Sequence, residues 1–301
     1  MSLLSLMQDV ALEIGLPKPT SVVNSTNQET QQLLRFVYRT GQDVVMHYNW
    51  PQLVREATIT LVADQANYAL PSDYLRQISG THWNQDNSWQ MGGPISPQEW
   101  NLRAYGITND GPRDRFRVKG IADNQFYITP TPGSGDAGVT LSYEYLSSMW
   151  FRPPTWVAST AYSSGDYVFY DGVYYYASAS GTSGAVSPAD DITNENVLWL
   201  IGTNSKATYD ADTTSYFLLP YAAFTTDNDV FFLDEDFISL GVVWRWLRSK
   251  GHPYKDIQAD YEMQLKRRAT NYSGSRPLSL VRRRSSPLLS SENVPDTGYG
   301  Q

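Results

Sequence analysis

The 301-residue sequence contains no cysteine. That excludes a disulfide framework, a thiolate nucleophile and a Cys-ligated zinc, so resistance to harsh surroundings has to come from packing or assembly. Histidine is scarce as well, and His47, His82 and His252 are too scattered for a spacing-defined metal site. No apolar stretch approaches the roughly 20 residues that cross a bilayer. The segment from Met1 to Met7 carries no basic residue and meets Asp9 and Glu13 too soon for a signal peptide, which predicts synthesis in a cytosol and no membrane partner. A P-loop, a Gly-x-Gly-x-x-Gly fingerprint and a Gly-x-Ser-x-Gly elbow are missing too, and Gly133-Ser134-Gly135 runs into Asp136 as a loop between strands.

What is present points to packing and contact. Hydrophobic residues make up 41% and charged residues 18%, a globular balance, and the length allows one large domain or two to three small ones. With 21 Tyr and 9 Trp, many rings must be packed or serve contact surfaces. The 23 basic against 31 acidic residues give −8, with a pI near 4.9, which argues against a surface that coats nucleic acid non-specifically. Asp190-Asp191, Asp210-Ala211-Asp212, Asp227-Asn228-Asp229 and Asp234-Glu235-Asp236 are the carboxylate clusters from which an acid/base pair or a calcium site could be drawn. Turns and helix caps account for them, because Asp and Asn in loops bond their own backbone. Trp100, Trp244 and Trp246 read as core or subunit interface. The expectation is a protein without catalytic residues, metal or cofactor.

Organisation along the chain predicts an α+β fold. Leu3 to Ile14 is apolar-rich and stops at Gly15. Thr26-Asn27-Gln28-Glu29 fits a capping box that opens a longer helix with Leu33, Leu34, Val37, Val44, Val45 and Tyr48 on one stripe, ending at Trp50-Pro51. From Val54 the period becomes two: Ala57, Ile59 and Leu61 alternate with Thr58 and Thr60, Asp64-Gln65 suits a turn, and Tyr68 to Leu70 reads as the second arm of a hairpin. Further strands are expected at Tyr74 to Ile78, Gln125 to Thr129 and Val139 to Leu146, with a helix starting at Ser96-Pro97. Asp234-Glu235-Asp236 suits a helix N-terminus, with Phe237, Leu240, Trp244 and Leu247 on one face and Gly251 as the stop. Ile257, Tyr261 and Leu265 mark a last helix. Four helices from the two ends, residues 1–52 and 233–271, are expected to pack as a bundle, with a β domain at 53–150 and 205–232 extruded from it.

Residues 151–204 form an inserted module. Lys and Arg are absent from Thr155 to Asn204, where Ser, Gly, Tyr and Asp dominate. Gly165-Asp166 and Asp171-Gly172 read as hairpin turns joining strands that carry Val168, Tyr170 and Tyr175. Together with Trp156, Tyr162, Pro188 and Trp199 this spacing resembles the small carbohydrate-binding modules of the family 5/12 type. In that family flat exposed aromatics stack on sugars, commonly one just before the proline, but here that position is Val186. Trp156, Tyr162, Tyr175 and Trp199 are therefore expected to form the module's own core, and Tyr174 and Tyr176 remain as candidate glycan contacts.

The last segment, residues 272–301, holds seven Ser and four Arg against one Glu and one Asp, a net +2. It cannot bury enough apolar surface to fold alone. Its apolar patches, with Leu278, Leu280, Val281, Leu288 and Leu289 around Arg282, Arg283 and Arg284, read as a docking strip for a partner.

With the module removed, the remaining order is two N-terminal helices ending in Asn49-Trp50-Pro51, strands at Ala57 to Leu61 and Tyr68 to Pro71, then Tyr74-Leu75-Arg76 and Phe126 to Pro130. It ends in Leu240 to Leu247 and a helix carrying Asp260-Tyr261-Glu262. This order resembles the head-to-tail adaptor (connector) proteins of short-tailed bacteriophages. The resemblance implies a structural virion protein at the head-tail junction. It would form a twelve-fold ring between the portal protein and the tail tube or nozzle protein, docked to the portal through the C-terminal segment. DNA would pass its channel without sequence-specific binding. The module alone suggests a rival, a glycan-binding accessory or carbohydrate-active protein.

Overall fold

The computed structural model describes residues 2–71, 73–105, 114–120, 125–171, 173–188, 199–202 and 223–272. Helix α1 (Leu3–Glu13) starts where the Ser2 hydroxyl accepts the Ser5 N–H, and it buries Leu3, Leu6, Met7, Val10 and Ala11. In α2 (Gln28–His47) the cap is Asn27, whose Oδ1 accepts the Glu29 N–H at 2.8 Å. The expected Thr26 box is thereby displaced by one residue, since the Asn carbonyl reaches the free amide of the first turn directly. After α2, Trp50 Nε1 donates to the Val44 carbonyl at 2.7 Å and a 3-10 turn (Pro51–Leu53) leads into the sheets.

Strands β1 (Val54–Thr60), β2 (Asn67–Ala69), β3 (Tyr74–Gln77), β4 (Trp83–Asn84) and β5 (Trp89–Gln90) precede α3 (Pro97–Tyr105). Strands β6 (Arg115–Lys119), β7 (Gln125–Thr129) and β8 (Thr140–Ser147) follow it. One sheet runs β1-β8-β4-β5, with β3 also on β8; a second runs β2-β7-β6. The expected β1–β2 hairpin does not form. β1 pairs along its length with β8, from Val54↔Leu146 to Thr60↔Thr140, and β2 pairs with β7 in the other sheet. Both arms bury alternate side chains against one core, and pairing with distant strands lets Ile59, Tyr68, Phe116, Phe126, Ile128, Leu141 and Tyr143 meet between the sheets.

Next come β9 (Phe151–Arg152), β10 (Ala161–Tyr162), β11 (Tyr167–Tyr170), β12 (Val173–Ala177), β13 (Gly181–Thr182), β14 (Trp199–Gly202) and β15 (Val230–Phe231). These make three small antiparallel sheets, β10-β13, β11-β12-β14 and β15-β9. Tyr170 faces Val173 across a two-residue turn, with Asp171 at φ +46, so the Asp171-Gly172 hairpin forms. Gly165-Asp166 makes a turn between β10 and β11, but those strands do not pair, so it is not a hairpin.

Helix α4 (Glu235–Lys250) is capped by Asp234, whose side chain accepts the Asp236 N–H, and ends at Gly251 in the left-handed region, φ +77. Helix α5 (Lys255–Tyr272) follows, so residue 272 belongs to a helix; the rest of the expected tail lies outside the described residues. α4 packs on α1, α2 and α5. Burial consequently reaches Ile238, Val242, Val243 and Trp246 as well as the single expected face. Two glycines make these approaches close. A Cβ on Gly41 would fall 2.3 Å from Trp150, and one on Gly241 would fall 2.2 Å from Thr40 Cγ2. Five helices and several small antiparallel sheets among the described residues make the fold mixed α+β.

Candidate functional site

The described carboxylates of the candidate clusters make structural hydrogen bonds. Asp227 Oδ1 accepts the N–H groups of Val22 and Val23 at 3.0 and 2.8 Å, pinning the loop after α1. Asp229, fully buried, accepts the Thr225 N–H and the Thr226 hydroxyl. Asp190, Asp191, Asp210 and Asp212 lie outside the described residues. His47 and His252 are exposed. His82 is 2% exposed and stacks nearly parallel on Phe116 and Tyr143, with centroids 3.9 and 5.3 Å apart, and burial lowers its pKa from 6.5 to about 4. Among the described residues no cluster of His, Asp and Glu could hold a metal ion, and no helix is long and apolar enough to cross a membrane.

Contact surfaces are better developed. A groove of about 300 Å³ lies between α2 and α5, with α4 at its base. Its fixed element is Arg245, which donates to Thr40 Oγ1 at 3.0 Å and to the Gly241 carbonyl at 2.8 Å, pairs with Asp43, and lies over the Trp244 ring at 4.3 Å. Burial raises the pKa of Tyr261 on the facing wall, and Arg245 partly offsets the rise. The guanidinium is thereby held from four sides. Trp244 and Trp246 are core residues here, whereas Trp100 stands on α3 against Tyr127 and Lys119, so the three tryptophans do not share one stripe.

The inserted module presents two faces to two cores. Val168 and Tyr170 alternate with Tyr167 and Phe169 on β11, and Tyr175 and Ala177 alternate with Tyr174 and Tyr176 on β12. Trp156, Val168, Tyr175 and Ala177 make a small cluster of their own, with Tyr162 and Tyr170 packed on it. Trp199 stands on β14, which pairs with β12. On the other face Tyr174 joins the main core, with Tyr167 and Phe169 packed against it. Phe169 meets Phe232 edge to face, and the Arg152 guanidinium covers both rings. Tyr174 is 5% exposed, which removes its ring from reach of a sugar; Tyr176 is half-buried, with its ring tilted against Tyr167. The docking strip of Leu278, Leu280, Val281, Arg282, Arg283, Arg284, Leu288 and Leu289 lies outside the described residues.

Two groups of residues escape the sequence reading. Asp73, fully buried, accepts hydrogen bonds from the Tyr145 and Ser147 hydroxyls at 2.8 and 2.6 Å and lies 3.6 Å from Arg55. Burial raises the pKa of the Tyr174 hydroxyl, and the positive charge of Arg55 partly offsets the rise, so the sandwich and the module are electrostatically linked. Nothing local marks Asp73, since its partners come from β1 and β8. The second group is Arg115, Arg117 and Lys119 on β6, whose alternation with Phe116 and Val118 was a readable period-two signal.

No curated protein matches the chain. The model of one protein family does, over residues 1–184, a span that takes in α1, α2, both sheets of the sandwich and the module as far as β13. A match over more than half of the sequence establishes membership: the chain belongs to the SU10 adaptor protein family.

Proposed function

We propose that this adaptor is a bacteriophage virion component that joins the portal to the tail as a closed ring, twelve copies being the expected number, and surrounds the channel through which DNA passes. The family match over residues 1–184 carries this reading. α1, α2, α4 and α5 would act as a four-helix platform, with the sandwich and the module projecting from it. The described side chains suit geometry and adhesion: aromatic packing, a groove and capped helices supply surface without a reacting group.

Beyond α5, the apolar positions from Leu278 to Leu289 would dock on the portal as an extended strip, and Arg282, Arg283 and Arg284 would meet acidic groups there. Modest affinity per strand would be raised by the number of strands acting together. The test is native mass measurement of the purified chain with and without portal protein, together with electron microscopy of the assembled particle. A ring of this chain below the portal is expected; a single copy, or a ring built from another protein at that level, would overturn the reading. Truncation after Asn271 should abolish portal attachment while leaving the helical signal unchanged.

A further inference from the structure

Opposite faces of the β-sandwich carry opposite charge. On the outer face of the first sheet Glu56 and Glu144 are direct cross-strand partners, and both are exposed. Like charges in that register destabilise a sheet. Among the described residues neither carboxylate is ion-paired. On the second sheet, β6 is an edge strand in which Arg115, Arg117 and Lys119 recur at every second position, opposite in sense to buried Phe116. Glu99 of α3 takes up Arg115 and Arg103 at 3.3 and 3.2 Å. That leaves Arg117 without an ion pair among the described residues, and Lys119 held over the rings of Trp100 and Tyr127 at 4.8 and 4.1 Å. Leu102, on the same helix as Glu99 and Trp100, is 58% exposed.

A sandwich with cations on one face and two mutually repelling carboxylates on the other is complementary to a second copy of itself. We infer that the Arg117/Lys119 face of one copy docks on the Glu56/Glu144 face of the next. This rests on the ring reading above and gives that ring its subunit contact. The contact is heterologous, so repeating it generates a closed ring or a filament and leaves no copy's faces unused except at an open end. Bringing two cations to Glu56 and Glu144 would relieve a repulsion that no ion pair among the described residues relieves. Duplex DNA is the less suitable occupant of the basic face: two half-buried cations neutralise few phosphates, and the chain's net charge of −8 opposes a polyanion.

The cysteine-free sequence makes the test clean. Two full-length chains, one carrying Thr58→Cys beside Glu56 and the other Gln125→Cys opposite Lys119, leave every charge in place. They are mixed at equal concentration with portal protein and treated with a short bis-maleimide. The mixed cross-linked pair should exceed either self-linked pair several-fold. Arg117→Glu with Lys119→Glu should abolish the ring in native mass measurements, and adding Glu56→Lys with Glu144→Lys to the same chain should restore it, with circular dichroism confirming that each variant is folded. Rings of the two cysteine variants that give only self-linked pairs, or rings indifferent to the charge reversal, would overturn this contact and leave the ring standing. Wild-type chains that never associate would overturn both. A short DNA duplex held by the wild type and lost from the Arg117→Glu/Lys119→Glu variant, with rings intact, would reassign the face to nucleic acid.

Discussion

Tyr145 donates its phenolic hydrogen to Asp73 across 2.8 Å inside a site closed to solvent. Burial and the Asp73 charge together push the Tyr145 pKa far up, so this hydroxyl is a permanent donor. Asp73 is also the acceptor for Ser147 and the counter-charge of Arg55. Asp73→Ala would leave two hydroxyls and a largely buried guanidinium unmatched, and should cost about 3–5 kcal/mol. Asp73→Asn, which keeps one acceptor oxygen, should cost less. Urea unfolding of the three proteins gives the comparison; equal midpoints would show that the network does not stabilise the fold.

His82 predicts a pH dependence of stability. Its pKa falls from 6.5 to about 4 on folding because the ring is stripped of water. Between those values the unfolded chain takes up a proton that the folded chain refuses, so stability is fully present above about pH 6.5 and declines as pH falls toward 4. The loss attributable to this group is about 2–3 kcal/mol. His82→Phe should preserve the stack with Phe116 and Tyr143 and flatten the unfolding curve against pH over that interval. An unchanged slope would assign the acid sensitivity to other groups.

Adjacent tyrosines of β12 should fail in different ways. Tyr175→Ala removes a ring from the module's small cluster, and chymotrypsin should then cut within residues 155–188 while the main core stays resistant. Tyr174→Ala removes a ring from the main core. It should lower the melting temperature of the whole chain, with a cost of about 3–5 kcal/mol. Indistinguishable proteolysis and melting for the two variants would argue against separate faces. By the same logic, excising residues 155–202 should expose Phe232 and destabilise the body.

Gly241→Ala should destabilise by about 1–3 kcal/mol, because the new methyl would sit 2.2 Å from Thr40 Cγ2 and 3.1 Å from the Tyr261 ring. Thr40 cannot swing away freely, since its hydroxyl donates to the Phe36 carbonyl at 2.8 Å and accepts from Arg245. Thr40→Ser deletes the clashing methyl and keeps the hydroxyl. The double variant should recover part of the loss; strict additivity in thermal unfolding would mean that the close approach is not between these two residues.

Features that depend on a few neighbouring residues were legible in the chain. Gly251 as the stop of α4, Asp234 as its cap, Ser96-Pro97 opening α3 and the Asp171-Gly172 turn all follow from local backbone chemistry that any context would reward. The strands that carry Val168, Tyr170 and Tyr175, and the alternation of Tyr174 and Tyr176 with Tyr175, were likewise legible. What the alternation could not say was that both sides are covered, because the surface that buries Tyr174 comes from distant parts of the chain. Strand pairing failed for the same reason: β1 and β2 look like a hairpin at the level of period and turn, yet they pair with the distant β8 and β7, and the core that all four strands share is set by the whole chain. Asp73 was invisible because a carboxylate's worth depends on donors that only folding assembles. The polarity of the sandwich belongs to both levels. Composition lists the glutamates and arginines, but register alone puts Glu56 against Glu144 and sets Arg117 and Lys119 on the far side, because side chains alternate between the faces of a strand while cross-strand partners share one.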